Sequence, residues 1–251
     1  MSEDPVVPAS LVGGSEGGRP SFQEKVISDV LPALPKIERY IRERRDTDRP
    51  LSNWGLYFFL LTWLTLGVYV IVVFYQRLKR VDMFAGRRHN YYGAVLEYTT
   101  EYAEQTGRLD LVRTAIDDLD AYVKERFIVV HRPINPGPSV ALSVVTLGIY
   151  GLVANYRAMK FWWEIQVTEQ DFTERLSVIW VKLGIIKYPI SFDSVQQLRR
   201  SFWANFLLSL VTLGVYGIVW DYQLHTDPDK VYPEFHATED AVLNAARTAN
   251  S

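Results

Sequence analysis

A five-residue motif, Thr-Leu-Gly-[Ile/Val]-Tyr, occurs three times in this chain of 251 residues. A second tyrosine follows six residues after the first in every copy. Each copy lies in a stretch without Asp, Glu, Lys or Arg, and these stretches are residues 50–76, 133–156 and 201–220. Because self-similarity of this kind marks a repeated structural unit, the fold has to accommodate three related segments.

The motif places a glycine at the centre of each apolar segment. Glycine inside a helix costs about 1 kcal/mol relative to alanine, so we expect a break, with the glycine at positive φ and the threonine hydroxyl satisfying freed backbone groups. The hydroxyl of the first tyrosine in each copy needs a hydrogen-bonding partner, because buried polar groups are normally hydrogen-bonded. The partner is either a group of its own or a neighbouring turn, or a bound ligand. The predicted motif residues are Thr65, Gly67, Tyr69, Tyr75, Thr146, Gly148, Tyr150, Tyr156, Thr212, Gly214, Tyr216 and Tyr222.

The length and flanks of the apolar segments favour hairpins over crossings. A break at Gly67 leaves helical halves of about 18 and 12 Å, and neither crosses a hydrocarbon core of about 30 Å. Lys and Arg flank both ends of the first two segments, whereas a crossing has one basic flank. We therefore expect re-entrant hairpins, with three kinked spans as the alternative. The alternative stays open above all for the third segment, which has basic residues before it and acidic residues after it.

Basic residues alternate with aromatic ones after the first segment. Each basic residue near anionic lipid contributes about 1 kcal/mol to membrane binding, so this stretch predicts a surface that binds lipid headgroups. The alternative is the ordinary excess of Lys and Arg on the cytoplasmic side of membrane segments. The predicted headgroup residues are Arg77, Lys79, Arg80, Arg87 and Arg88.

The polar stretches between the apolar segments predict amphipathic helices. Residues 37–44 resemble residues 119–126, so the repeated unit includes a soluble helix. Residues 127–134 and 185–192 are predicted as short strands or extended chain. The predicted organisation is a disordered tail (1–20), an amphipathic helix (21–49), membrane repeat 1 (50–76), a helical linker (77–132), membrane repeat 2 (133–156), a helical linker (157–200), membrane repeat 3 (201–222), and a C-terminal helix and tail (223–251).

Composition excludes several kinds of site. The chain has no cysteine, which excludes disulfides, thiolate zinc sites and iron–sulfur clusters. Its net charge of −2 argues against a general nucleic-acid binder. The four histidines are scattered, and phosphate-binding, dinucleotide and nucleophile-elbow motifs are missing. We therefore expect neither enzymatic activity nor a metal or other cofactor.

At these residues the chain resembles the domain of unknown function 4234 family, whose hallmark is an apolar run centred on the same motif and followed by aromatic residues. The resemblance covers the three segments and their immediate flanks. It implies residence in a membrane and implies no activity. The first copy departs from the pattern at Val70, where the other two have Gly151 and Gly217.

The sequence therefore predicts an all-α membrane protein with three repeated broken-helix or hairpin segments and amphipathic cytoplasmic helices. We expect a non-enzymatic scaffold or membrane-interaction module in the cell membrane, with its soluble parts in the cytoplasm. Its expected partners are the lipid bilayer, including anionic lipids, and further copies or other membrane proteins, but no nucleic acid. The alternative is a small-solute or ion pathway formed by oligomerised kinked transmembrane helices.

Overall fold

The computed structural model describes residues 31–51 and 53–251, and all regular structure within these ranges is helical. This confirms the all-α prediction; the predicted tail and the first part of the helix predicted for 21–49 lie outside the described residues. The α-helices are α1 (Leu34–Thr47), α2 (Trp54–Leu56), α3 (Thr62–Leu64), α4 (Val68–Gln105), α5 (Leu109–Glu125), α6 (Pro136–Val145), α7 (Ile149–Leu183), α8 (Phe202–Val211) and α9 (Val215–Ala249). Shorter turns are the π-helical Tyr57–Leu61 and Arg126–Val130 and the 3₁₀-helical Gln196–Leu198.

Each copy of the motif ends one helix and begins the next. The glycines Gly67, Gly148 and Gly214 adopt φ values of +88°, +92° and +92°. In the third copy the N–H of Gly214 donates to the carbonyl of Ser209 at 2.7 Å, the bond that closes a Schellman helix end. After the turn the second arm lies against the first. In the same copy the hydroxyl of Tyr216 on the second arm donates to Asn205 on the first arm. The apolar segments are helical hairpins, named here hairpin 1 (54–75), hairpin 2 (136–156) and hairpin 3 (202–222).

The motif threonine completes the hydrogen bonds of the turn on both sides. In hairpin 2 the Thr146 hydroxyl donates to the carbonyl of Leu142 at 2.7 Å and accepts the N–H of Tyr150 at 3.0 Å. Thr65 and Thr212 make the same two bonds. The hydroxyl therefore satisfies an N–H in the first turn of the second helix, which the helix break leaves without a helical partner. It also donates a second hydrogen bond to a carbonyl that already accepts the backbone N–H of the same threonine.

We expect Thr146→Val to lower the free energy of unfolding by about 1–2 kcal/mol, because the isosteric change removes both bonds and leaves the N–H of Tyr150 unsatisfied. The measurement is equilibrium denaturation in urea. The matched control is Thr226→Val, whose hydroxyl only bonds the carbonyl of Tyr222 within a continuous helix. Equal losses in the two variants would contradict the role assigned to the motif threonine.

Hairpin 1 differs from the other two in how closely its arms approach. A Cβ added to Gly151 would lie 3.4 Å from the Ser143 hydroxyl on the facing arm, so the glycine permits a tight contact. Val70 replaces this glycine in hairpin 1, and the facing arm there contains the π-helical turn. The departure of the first copy therefore changes the arms, while its turn keeps the positive φ.

The second arm of each hairpin is the first part of a long helix, and these long helices are α4, α7 and α9. Beyond the hairpins the three helices form a parallel bundle. Residues at the same distance from the motif glycine meet inside it. Trp180 Nε1 donates to Thr99 Oγ1 at 2.9 Å across a separation of 81 residues, which is the spacing of the first two motifs. Tyr98 donates to the carbonyl of Ala246 at 3.0 Å, across 148 residues, which is one residue more than the spacing of the first and third motifs. The repeat thus extends along the whole bundle, around an approximate threefold axis.

The bundle core consists of layers in which each long helix supplies one side chain. Phe84, Ile165 and Val231 are fully buried at the same repeat position, seventeen residues after each glycine. Such layers remove large apolar side chains from water, at about 25 cal/mol per Å² of buried apolar area. Further buried layers are Val73, Ala154 and Trp220, and Val95, Leu176 and Val242.

The segments that precede the hairpins fill the grooves between the long helices. Helix α1 packs on α4 and α9, and α5 packs on α4 and α7. Between α7 and α9 lies the segment 185–198, which is irregular as far as its 3₁₀-helical turn. In it, Ile190 N–H donates to Ser177 at 3.0 Å and the ring of Phe192 lies 5.0 Å from that of Phe235. Each unit therefore contributes one groove filler, one hairpin and one long helix.

Several predicted boundaries change in this arrangement. The predicted repeat ends at 76, 156 and 222 fall inside continuous long helices. Of the two segments predicted as short strands or extended chain, 127–134 begins as a π-helical turn through Val130, and 185–192 is irregular. Strand was the wrong expectation for both, because each packs on helices and has no neighbouring strand within the described ranges.

Candidate functional site

The turn end of the molecule exposes large apolar side chains. The motif leucine at each apex is almost fully accessible: 95% for Leu66 and 94% for both Leu147 and Leu213. All but six of the exposed large apolar side chains in the described ranges belong to the three hairpins. Those beside the apices are Trp63, Leu64 and Val68, then Val144, Val145 and Ile149, then Leu210, Val211 and Val215. An apolar surface of this extent is rare in proteins that face only water.

The three apices form one surface because the hairpins contact each other in a ring. Helix α4 of hairpin 1 packs on α6 of hairpin 2. The ring of Tyr156 in hairpin 2 lies 5.3 Å from that of Phe202 in hairpin 3. Hairpin 3 returns to hairpin 1 through Tyr222, whose ring lies 5.2 Å from Trp54. The apices are therefore held side by side at the same end of the parallel bundle.

The apical leucines adopt an unusual backbone conformation. Leu66, Leu147 and Leu213 have φ values of 50°, 50° and 51°, in the left-handed region. An L-residue with a Cβ costs roughly 1–2 kcal/mol there, and glycine or asparagine would be accommodated more easily. Strain of this kind tends to persist where it serves function. In each hairpin its effect is to put an apolar side chain at the outermost point.

Aromatic and then basic side chains follow at increasing distance from the apex. The exposed Tyr75, Tyr156 and Tyr222 lie eight residues after each glycine, about 12 Å along the helix. Lys79 and Lys160 lie twelve residues after it, about 18 Å along, and both are exposed. The hydrocarbon of one leaflet is about 15 Å thick, half of the whole core. The order of apolar, aromatic and basic levels thus matches one leaflet and its headgroups.

The first tyrosines of the motif do not share a single arrangement. Tyr216 donates its hydroxyl to Asn205 Oδ1 at 3.1 Å, a partner in its own hairpin. The ring of Tyr69 packs 6.0 Å from that of Tyr57. Within the described residues the Tyr69 and Tyr150 hydroxyls make no such bond. Within the described ranges, a local partner for the hydroxyl is therefore present for Tyr216 alone among the three.

Four of the five predicted headgroup residues face the interior of the bundle. Arg77, Arg80, Arg87 and Arg88 are buried, and Lys79 is exposed. Arg77 pairs with Asp221 at 2.7 Å, Arg80 with Asp229 at 2.8 Å, and Arg87 with Glu239 at 2.6 Å and Asp48 at 2.7 Å. The headgroup prediction is wrong for these arginines, because their helical spacing directs them towards acidic partners on α9 and at the end of α1.

Arg88 is the centre of a buried charge network that the sequence reading missed. It is fully buried and bonds both Glu169 of α7 and Glu239 of α9. The hydroxyl of Tyr92 donates to the same Glu169 at 2.5 Å. Burial raises the pKa of Tyr92 well above its ordinary value, so the phenol stays protonated and can donate. These charges are paired with one another inside the bundle, at a distance from the hairpins.

Histidine adds no charge at the base of hairpin 2. Burial, together with the positive charge of Arg126, lowers the pKa of His131 to about 3, so the ring is neutral near pH 7. Its Nε2 lies 2.9 Å from the hydroxyl of Thr168. In the part of the chain that the structure describes, no group of three or more His, Asp or Glu side chains is placed to hold a metal ion.

No helix in the described ranges is both long and apolar enough to cross a membrane. In the comparison with known proteins, the family model described as Domain of unknown function (DUF4234) matches residues 200–243. No curated protein and no solved structure matches the chain. The matched range holds hairpin 3 and α9 as far as Leu243. The resemblance to the domain of unknown function 4234 family is thereby confirmed at residues 200–243, which contain the third copy of the motif.

Proposed function

We propose that this protein is a non-enzymatic scaffold that inserts three re-entrant hairpins into one leaflet of the cell membrane and holds its helical bundle at the cytoplasmic surface. The observation that carries the proposal is the set of three exposed apical leucines, each kept in a strained left-handed conformation. Insertion into the bilayer transfers these exposed leucine side chains from water into hydrocarbon. Each leucine transferred contributes about 1.5–3 kcal/mol.

The dimensions of the hairpins support insertion into a single leaflet. From Gly148 to Tyr156 the inserted arm is about 12 Å long, well short of a core of about 30 Å. The turn leaves few backbone groups without a partner in hydrocarbon, because the threonine hydroxyl bonds on both sides of it. From Tyr156 to Leu183, α7 extends about 40 Å beyond the aromatic level. The bundle would thus project its far end well above the headgroups.

The surroundings of the ionisable groups support a structural role. One cluster of charged side chains has the residue types of a catalytic site and consists of Arg87, Arg88 and Glu239. These side chains are buried, and both arginines pair with the glutamate between packed helices. The apices themselves carry leucines and other apolar side chains. Such an arrangement suits adhesion to lipid and the presentation of the bundle to other membrane proteins.

Site-specific labelling tests the proposed topology, since the natural chain has no cysteine. Single cysteines are introduced at the exposed positions Thr106, Tyr188 and Ser251, and cells are treated with a membrane-impermeant maleimide before or after permeabilisation. We expect all three to react only after permeabilisation, because hairpins return each linker to the cytoplasm. Labelling of Tyr188→Cys on the face opposite to the other two would contradict the proposal and favour a pathway of crossing helices.

A further inference from the structure

A cavity of about 440 Å³ lies beside the base of hairpin 2. It is formed where the chain leaves the π-helical turn at Val130 and runs along α7. Arg132, Arg157 and Lys160 line it together with the aromatic Tyr156 and the apolar Val129 and Ile134. Three cationic side chains therefore converge on a space large enough for a small polar group.

No acidic side chain in the part of the chain that the structure describes neutralises these three cations. Arg132, Arg157 and Lys160 form no ion pair within the described part of the chain. Arg157 donates instead to the carbonyl oxygens of Arg132 at 3.4 Å and Pro133 at 3.3 Å, which holds it along the cavity wall. Glu164 also lines the cavity, but Arg126 already pairs with it at 3.1 Å. The cavity thus has a surplus of positive charge.

This arrangement belongs to hairpin 2 alone. The residues at the repeat position of Arg157 are Gln76 in hairpin 1 and Gln223 in hairpin 3. Lys160 corresponds to Lys79 and Thr226. Because the other two units lack the pair, the cavity is distinct from a general basic collar around the bundle.

The cavity lies at the level expected for headgroups. Arg157 and Lys160 come nine and twelve residues after Gly148, about 14 and 18 Å along the helix from the apex. One leaflet of hydrocarbon is about 15 Å thick. With the hairpin inserted, these cations would sit at the depth of lipid phosphates.

We propose that this cavity binds the headgroup of a dianionic phospholipid, one that bears a phosphate monoester such as phosphatidic acid. Three convergent cations match two negative charges on one phosphate, and arginine can engage a phosphate through two parallel hydrogen bonds. Val129 and Ile134 form an apolar part of the cavity wall, against which the start of the acyl chains would lie. The assignment rests on the proposed membrane insertion and adds lipid selectivity to it.

The test is co-sedimentation of the full-length protein with vesicles. Three compositions are compared: neutral phosphatidylcholine, phosphatidylcholine with phosphatidic acid, and phosphatidylcholine with monoanionic phosphatidylserine at the same total charge. We expect at least about tenfold tighter binding to phosphatidic acid than to charge-matched phosphatidylserine. The Arg157→Gln/Lys160→Thr variant, which installs the residues of hairpin 3, should lose this preference and keep its binding to neutral vesicles. Lys79→Thr, the matched change in hairpin 1, should keep the preference.

The other outcomes separate this proposal from the one on which it rests. Failure to bind any vesicle overturns both. Binding without a preference for phosphatidic acid, or a preference that survives in Arg157→Gln/Lys160→Thr, overturns the headgroup site and leaves hairpin insertion standing. Soluble glycerol 3-phosphate distinguishes a lipid from a free phosphate: if it binds the vesicle-free protein as tightly as the lipid does, and through Arg157, the lipid assignment is wrong.

Discussion

Replacing the three apical leucines by asparagine is expected to weaken vesicle binding at least about 1,000-fold without loss of folding stability. Each leucine that leaves hydrocarbon forfeits about 1.5–3 kcal/mol, and the three side chains insert together. Asparagine tolerates the left-handed conformation better than leucine does, so Leu66→Asn, Leu147→Asn and Leu213→Asn should relieve strain in solution. Vesicle flotation gives the affinity, and urea denaturation in the absence of lipid gives the free energy of unfolding.

The triple variant is expected to bind vesicles more weakly and yet to be at least as stable in solution as the wild type. This combination separates a lost membrane contact from a folding defect. Ordinary destabilisation would lower affinity and stability together. Leu111→Asn is the matched control, because Leu111 is an exposed leucine at the far end of the bundle and should affect neither quantity strongly. Vesicle binding by the triple variant at the wild-type level would show that the apices are not the membrane contact.

Arg88→Met is expected to lower the free energy of unfolding by about 3–5 kcal/mol. The change removes the cation that faces Glu169 and leaves that carboxylate buried with only Tyr92 as a hydrogen-bonding partner from α4. The double variant Arg88→Met/Glu169→Met removes both charges with side chains of similar size, so it should recover part of the loss. The remainder reflects the buried Tyr92 hydroxyl, which loses its acceptor. Chemical denaturation of the three proteins in one buffer measures both differences.

An exposed ion pair provides the comparison for this result. Lys124 and Asp120 pair on the surface of α5, and Lys124→Met should cost under about 1 kcal/mol, since exposed pairs are screened by water. A loss at Arg88→Met no larger than this would mean that the buried network is not required for stability. A double variant less stable than either single change would also contradict the account.

The hairpins could be predicted because their determinants are local. A glycine at positive φ and a threonine that bonds to its own fourth neighbours need nothing beyond a dozen residues of sequence. The order of apolar, aromatic and basic positions is equally local. What these residues could not provide is the course of the second arm, because charge begins at Arg77 and the same helix continues as the bundle.

The buried arginines were misread because charge is ordinarily a sign of exposure. A signal for burial was nevertheless present. Arg77, Arg80, Phe84 and Arg88 follow the three- and four-residue steps of one helix face, and that face is buried. Aligning the units by their glycines also places Glu169 at the repeat position of Arg88, which would have indicated the pair. The cavity beside hairpin 2 had no such signal, since it depends on how the irregular chain at Arg132 meets α7.

The layer of Arg88, Glu169 and Phe235 bears on why three units are joined in one polypeptide. The three side chains occupy the same repeat position, twenty-one residues after each glycine, and the guanidinium lies 4.8 Å from the centre of the phenylalanine ring. A trimer of identical subunits would bring three arginines or three glutamates together on its axis, where like charges repel. Covalent linkage permits a cation, an anion and an aromatic ring to share one level. It also fixes which unit neighbours which, so a single unit can acquire a specialised surface while the other two keep their form.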